Sequence, residues 1–179
     1  MVPPDDVKTG FRGNRPRMGG HGVIKPRTGE QTAQRAHEAT QKESSVPAKK
    51  RVLFLCIGNS CRSQMAEGFA RAYGADIMVA QSAGLMPAVD IAPMTKQVLA
   101  EWNINIDGHF PKGLEVVGRE PFDLIVNMSG QPINLPAARV LTWPVRDPIG
   151  QPINVYRSVV QQIEALVMGL ILSLRSGRG

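Results

Sequence analysis

The chain has 179 residues, a net charge of +6 and an isoelectric point near 9.7. The basicity lies in residues 1–50, which hold ten Lys and Arg against five Asp and Glu, whereas residues 51–179 hold eleven against ten and are about half apolar. This division predicts one globular domain behind a basic extension and argues against a domain built to bind polyanions. The two cysteines are too few for a secreted disulfide framework or a zinc site.

Residues 1–50 contain six Gly and five Pro and show no sustained helical or strand period. We expect them to form a disordered, solvated extension. An RNA- or membrane-attracting arm is the alternative, but the charge is too dilute to favour it. The longest apolar stretch near the C-terminus, residues 165–174, is about half of the ~20 residues that cross a bilayer. We therefore expect a cytoplasmic protein with neither a membrane nor a nucleic acid as partner.

The domain begins with a continuous apolar run at residues 52–56, which is typical of a strand buried on both faces in a parallel sheet. A helix is predicted over residues 63–73, with Gly74 as its stop signal. The pattern continues with strands at residues 77–80, 122–128 and 139–143, a helix at 93–102 and a long helix at 154–175. Strands that alternate with helices predict an α/β fold with a parallel sheet, whose ligands bind beyond the carboxyl ends of the strands.

The loop between the first strand and the first helix reads Cys56-Ile-Gly-Asn-Ser-Cys-Arg-Ser63. A loop that enters a helix N-terminus points several backbone N–H groups into one concavity, which suits a tetrahedral oxyanion such as phosphate. The same N–H groups and Arg62 would stabilise the thiolate of Cys56 and make it a nucleophile. The planar guanidinium of Arg62 can hold two oxygens of the anion. Two buried structural cysteines in a tight turn are the alternative.

Two further residues of this loop have backbone roles in the prediction. Gly58 would permit close approach of the backbone, and Asn59 tolerates the left-handed conformation that such a loop can require.

His109, the sole histidine of the domain, follows Asp107 in a segment that we expect to be an exposed loop, so an acid–base pair there is not favoured.

The stretch Val52-Leu-Phe-Leu-Cys-Ile-Gly-Asn-Ser-Cys-Arg-Ser-Gln-Met-Ala-Glu67 resembles the signature of the low-molecular-weight protein-tyrosine phosphatase superfamily, which includes the thioredoxin-coupled arsenate reductases. The similarity continues through Ser82-Ala-Gly84 and Trp143-Pro-Val-Arg-Asp-Pro148, and it covers nearly all of residues 51–175. It implies a three-layer α/β fold, in which a central four-stranded parallel sheet has helices on both faces and a phosphate-binding loop follows the first strand.

The resemblance also implies site residues. Cys56 would be the nucleophile, Arg62 the oxyanion clamp and Asp147 the general acid and base. Ser63 would stabilise the thiolate, and Asn59 would brace the loop. The oxyanion would be bound by the whole loop, namely Ile57, Gly58, Asn59, Ser60, Cys61, Arg62 and Ser63. From the residues alone, the Asp147-Pro148 pair is typical of a turn.

The two branches of this superfamily make different demands on the chain. The residues that follow the loop, Ser63-Gln-Met65, look like the arsenate reductase branch, and Ile149 stands where phosphotyrosine enzymes commonly have an aromatic residue. However, thioredoxin-coupled arsenate reductases have two further cysteines after the third strand. This chain has Met128-Ser-Gly130 there and no cysteine after Cys61, so that relay cannot operate.

Phosphomonoester hydrolysis through a Cys56 thiophosphate is therefore the first choice, because it needs only groups that are present. The alternative is an arsenate reductase that uses an external thiol, from either glutaredoxin/glutathione or mycothiol. A second alternative is an oxyanion sensor without catalysis. None of these needs a metal or a bound cofactor. Cys61 would be either a packed loop residue or the partner of Cys56 in a reversible disulfide.

Overall fold

The computed structural model describes residues 48–118 and 120–177, so the predicted extension at residues 1–50 lies almost wholly outside the described residues. The elements in chain order are β1 (Lys50–Cys56), α1 (Arg62–Gly74), β2 (Met78–Gly84), α2 (Pro93–Glu101), β3 (Phe122–Asn127), β4 (Ala137–Thr142) and α3 (Ile153–Arg175). All seven predicted elements are present. Only β2 departs clearly from its prediction, which ended at residue 80. Residues 81–84 are small or polar and do not indicate a strand by themselves, but they pair with β1.

The four strands form one parallel sheet in the order β2-β1-β3-β4. The central strand β1 is apolar because it is buried on both faces, and residues 52–55 have no exposed surface. Cys56 pairs with Gly84 at the end of β2, and Leu55 pairs with Asn127 at the end of β3. The central strand and both its neighbours therefore end at the same edge of the sheet, and Cys56 lies at that edge.

The two faces of the sheet are covered differently. Side chains from all three helices share one core with Phe54 of β1, and the helices contact one another. On the other face, Leu53 and Leu55 pack against loop residues such as Leu114 and Leu135. The expected α/β class and four-stranded parallel sheet are confirmed, but helices on both faces are not found: in residues 48–118 and 120–177, no helix lies on this second face.

The sequence explains why no helix of the described residues covers the second face. The two connections that cover the second face are rich in residues that interrupt helices. They are Pro111, Gly113, Gly118 and Pro121 before β3, and Gly130, Pro132 and Pro136 after it.

The C-terminal helix α3 has a buried stripe that packs along α1. It is the one helix of the described residues that is long and apolar enough, by length and composition alone, to cross a membrane. Seven of its residues belong to the buried core of the domain: Tyr156, Val159, Val160, Ile163, Val167, Leu170 and Ile171.

Candidate active site

The loop from Cys56 to Arg62 is held from outside by residues 85–92. This segment donates backbone N–H groups, over 2.9–3.2 Å, to the carbonyls of Cys56, Ile57, Gly58 and Ser60. Because the C=O and the following N–H of a trans peptide point in opposite directions, the N–H groups that follow these carbonyls face inward. Within the described part of the chain, no N–H group of residues 57–61 donates to another backbone group. The loop therefore has the inward-facing donors that an oxyanion requires.

The close backbone approach predicted at Gly58 occurs instead at Gly84. A Cβ atom added to Gly84 would lie 2.6 Å from the carbonyl oxygen of Ile57 and 2.9 Å from the nitrogen of Asn59. One added to Gly58 would be no closer than 3.8 Å to any neighbouring atom. Asn59 has a φ of +46°, so its predicted left-handed conformation is confirmed. Gly84 thus lets β2 lie directly against the loop.

Cys56 is buried, and its Sγ atom lies 2.9 Å from the Oγ atom of Ser63. The Nδ2 group of Asn59 donates to the hydroxyl oxygens of Ser63 and Ser82, both at 2.8 Å. Since the Ser63 oxygen accepts from Asn59, its own hydrogen is free to point at the sulfur of Cys56. This direction of donation stabilises a thiolate rather than a thiol.

The orientation of the Asn59 amide is fixed by its other end. Its Oδ1 atom accepts from the backbone N–H of Lys112 at 2.9 Å and from Nε2 of Gln64 at 3.1 Å. All four hydrogen-bonding positions of the buried amide are thus filled. The network also continues beyond Asn59, because the hydroxyl of Ser82 donates to the fully buried carboxylate of Glu67.

Arg62 is the first residue of α1 and is almost fully buried. Its Nη1 atom donates to the carbonyl oxygens of Met128 at 2.7 Å and Val145 at 3.3 Å, and these bonds tie the ends of β3 and β4 to the loop. Its Nη2 atom forms an ion pair with Asp147. The buried Nε atom has no hydrogen-bond partner among the described residues and remains available as a donor to an anion.

The structure brings Asp147 to the candidate site, as the resemblance implied. Its side chain is 44% exposed. One carboxylate oxygen binds Arg62, and the other accepts the backbone N–H of Ile149 at 3.2 Å. A solvent-accessible carboxylate beside Arg62 can exchange protons with water and with a leaving oxygen.

Cys61 lies at the N-cap of α1 and is buried. Its Sγ atom lies 3.7 Å from the hydroxyl oxygen of Tyr156. Burial raises the pKa of the Cys61 thiol, although the neighbouring hydroxyl groups of Thr95 and Tyr156 oppose the effect. Both cysteines are free thiols. This environment favours the packed loop residue over the redox partner, because a protonated buried thiol is a poor nucleophile.

His109 departs from the expectation of an exposed loop and does not pair with Asp107 in the described hydrogen bonds. It is partly buried, with its Nδ1 atom 3.0 Å from Oε1 of Gln64 and its Nε2 atom 3.3 Å from Arg71. Burial lowers the pKa of His109. It therefore belongs to the polar network that supports the loop.

The sequence assigned no role to four residues of this network: Gln64, Glu67, Ser82 and Lys112. The available signal was a pair of polar residues, Gln64 and Glu67, three positions apart on one face of α1. In residues 48–118 and 120–177, no group of three or more His, Cys, Asp or Glu side chains could hold a metal ion.

Residues 51–178 match the sequence profile described as low molecular weight phosphotyrosine protein phosphatase. The chain belongs to this family. It is 35% identical over 130 residues to a glutaredoxin arsenate reductase of Synechocystis sp., covering 70% of this chain and 98% of that relative. Among solved structures it is similar to an arsenate reductase in the phosphate binding state, with 34% identity, a TM-score of 0.64 and coverage of 70% and 98% of the two chains.

A low molecular weight protein tyrosine phosphatase from T. tengcongensis is also similar to this member of the family, with 30% identity and a TM-score of 0.57. The match covers 70% of this chain and 99% of that one. The family is therefore enzymatic, and relatives from both of its branches share the fold of this domain.

Proposed function

We propose that this member of the family is an arsenate reductase that takes its electrons from external thiols. The observation that carries this proposal is the buried thiol of Cys56, which lies at the base of a loop of inward-facing N–H groups beside Arg62. The similarity to arsenate reductases supports reduction above hydrolysis, so reduction replaces hydrolysis as the first choice. The absence of any cysteine after Cys61 requires that the reductant come from outside the chain.

In the first step, the Cys56 thiolate attacks the arsenic atom of arsenate. A sulfur–arsenic bond forms and one arsenic–oxygen bond breaks. Asp147 gives a proton to the departing oxygen, which leaves as water. The loop N–H groups and the free Nε donor of Arg62 hold the remaining oxygens and stabilise the charge that develops on them.

In the second step, an external thiolate attacks the sulfur of Cys56. The electron pair of the sulfur–arsenic bond passes to arsenic, which is reduced from As(V) to As(III) and leaves as arsenite. Cys56 remains in a mixed disulfide, and a second thiol releases it by exchange. Two thiols are thus oxidised to one disulfide for each arsenate. No metal or bound cofactor enters this scheme, and the reduced thiol pool of the cytoplasm would supply it.

Hydrolysis of phosphomonoesters is the second candidate, and the contact of Asp147 with Arg62 favours it. The same loop would hold a phosphoryl group while Cys56 forms a thiophosphate, and Asp147 would then deprotonate the attacking water. Exposed Ile149 offers no aromatic ring to stack on a tyrosyl phosphate. The candidate substrates are therefore phosphomonoesters without that requirement.

A side-by-side assay of the purified chain tests both candidates. We expect arsenite release with glutaredoxin/glutathione or with mycothiol, and none with thioredoxin as the sole reductant. Aryl phosphate hydrolysis in the absence of thiol, without arsenite release, would instead make hydrolysis the activity.

The variant C56S separates either enzyme from an oxyanion sensor. It should still bind phosphate in a calorimetric titration and lose all turnover, because a serine hydroxyl is not ionised at neutral pH. If cells that carry C56S keep the full biological effect of the wild-type chain, the sensor is the correct interpretation.

A further inference from the structure

A buried ion pair between Glu67 and Lys112 lies next to the residues that hold the loop. The carboxylate of Glu67 has no exposed surface, and the Nζ atom of Lys112 lies 3.4 Å from its Oε2 atom. The Lys112 side chain is itself only 12% exposed. Arg71 also contacts the carboxylate, at 2.6 Å, but its side chain is 54% exposed. A carboxylate removed from water needs a compensating cation that is also buried, and Lys112 meets that requirement.

Lys112 is held in place at its backbone as well. Its N–H group donates to Oδ1 of Asn59, and its carbonyl accepts the N–H of Gly84, both at 2.9 Å. Lys112 thus touches the loop through its main chain and Glu67 through its ammonium group. Its position between these two partners cannot change without moving one of them.

The charge on Glu67 determines which way the neighbouring hydrogens point. An ionised carboxylate can only accept, so the hydroxyl of Ser82 must donate to it. The oxygen of Ser82 is then left to accept from Asn59. If that carboxylate instead carried a proton, it could donate to Ser82, and the hydroxyl hydrogen of Ser82 would no longer be held by it. The bond from Asn59 to Ser82, one of the four that hold the amide beside Ser63, would then lose its fixed direction.

We propose that Lys112 is a positioning residue that acts on Cys56 through the carboxylate of Glu67. By pairing with this carboxylate inside the protein, Lys112 fixes the direction of the hydrogen bonds that lead from Ser82 to the sulfur of Cys56. The role rests on the proposed function of Cys56 as nucleophile. Two other charged or titratable groups belong to the same cluster: Arg71 on α1, which pairs with the carboxylate, and His109 in the loop before β3, which contacts Arg71. Among the described ion pairs, Arg62 and Asp147 pair with each other and with no member of this cluster.

The variant K112M tests the proposal, because methionine keeps much of the length of lysine and removes the charge. The readout is the rate at which iodoacetamide alkylates Cys56 across a range of pH, with the ultraviolet absorbance of the thiolate as a second measurement. We expect alkylation at neutral pH to be about tenfold slower than in the wild-type chain, because the hydroxyl of Ser63 would no longer be held in the direction that stabilises the thiolate. Turnover should fall through kcat, with little change in KM, since no anion-binding group is removed.

Two matched variants sharpen the test. K112R keeps the cation and should restore most of the alkylation rate. R71M removes the exposed partner of the same carboxylate and should behave like the wild-type chain. A folded K112M whose alkylation profile equals that of the wild-type chain would overturn the proposal.

A double-mutant cycle shows whether Lys112 acts through Glu67. The variant E67Q keeps an oxygen that can accept from Ser82 but removes the charge, so adding K112M to it should slow alkylation little further. An undiminished effect of K112M in that background would overturn the proposal. The double variant buries no unpaired charge, so it can be compared with E67Q even if K112M alone does not fold.

The alkylation readout needs no turnover, so failure of the proposed function is distinguishable from failure of this inference. If the wild-type chain neither reduces arsenate nor hydrolyses aryl phosphate, the proposed function fails. A tenfold alkylation difference in K112M would support the positioning role even then.

Discussion

The two sides of the candidate site are built in different ways. On the loop side, Cys56, Asn59 and Ser63 are at most 2% exposed, and the Asn59 amide has all its hydrogen-bond partners within the protein. On the other side, Asp147 is 44% exposed and is held by Arg62 and one backbone N–H group. The thiol of Cys56, the proposed nucleophile, is thus preorganised, whereas the Asp147 carboxylate occupies a donor of Arg62 that an arriving oxyanion would also need. We therefore expect an oxyanion and Asp147 to compete for Arg62.

The variant D147N removes the carboxylic acid on the exposed side of the site, and we expect it to have the largest effect. Loss of the acid should slow turnover by about 10²–10⁴, most of all for phosphate esters with poor leaving groups. Binding of inorganic phosphate should become tighter, because a neutral amide competes less well for the guanidinium. Steady-state kinetics and calorimetric titration of phosphate measure the two effects. Weaker phosphate binding in D147N would contradict the competition, and D107N, which changes a carboxylate outside the site, is the control.

The variant R62K tests the residue that joins the two sides. Lysine lacks the planar fork, so it cannot bridge two strand ends through Met128 and Val145 and still offer donors to an anion. We expect kcat/KM to fall by about 10²–10³, the usual effect of losing one donor to a developing oxyanion. Phosphate affinity should fall as well, in contrast to D147N. If R62K binds phosphate as tightly as the wild-type chain, the loop N–H groups alone hold the anion.

The loop side could be predicted in outline because its signals are local in the sequence. A continuous apolar run, a short loop and a helical period place Cys56 and Arg62 without knowledge of the rest of the fold. The left-handed Asn59 follows from its residue type, and its φ of +46° agrees. By contrast, Asp147 could be placed only through the family resemblance, because an Asp-Pro pair by itself is typical of a turn.

The other differences between the sequence predictions and the structure arise where a residue acts through partners that are distant in the sequence. Lys112 meets Glu67 across 45 positions of sequence, and a hydrophobic pattern assigns both to the surface. The close approach was assigned to Gly58 because it lies in the loop, but β2 supplies the backbone contact at Gly84. Helices on both faces were implied by the family resemblance, and the Pro and Gly residues of the connections around β3 disfavour them on one face.

A pair of alanine variants at Gly84 and Gly58 tests how closely β2 supports the loop. G84A would place a Cβ atom 2.6 Å from a backbone oxygen, and we expect it to lower the free energy of unfolding by about 1–3 kcal/mol. G58A meets no such atom and should change the free energy of unfolding by less than about 0.5 kcal/mol. Urea denaturation measures both values. Equal destabilisation by the two variants would show that β2 does not support the loop as closely as the geometry indicates.

The variant C61A should have the smallest effect and decides whether the buried side contains a second reactive thiol. Burial raises the pKa of Cys61, so its thiolate fraction at neutral pH is lower than that of a free cysteine. Alkylation followed by mass spectrometry should therefore label Cys56 and leave Cys61 unmodified until the pH rises well above neutrality. C61A should reduce arsenate at close to the wild-type rate, since external thiols resolve the arsenylated Cys56. If C61A instead stops after one turnover with arsenic still on Cys56, then Cys61 is the resolving thiol, and the loop side supplies the redox chemistry as well as the nucleophile.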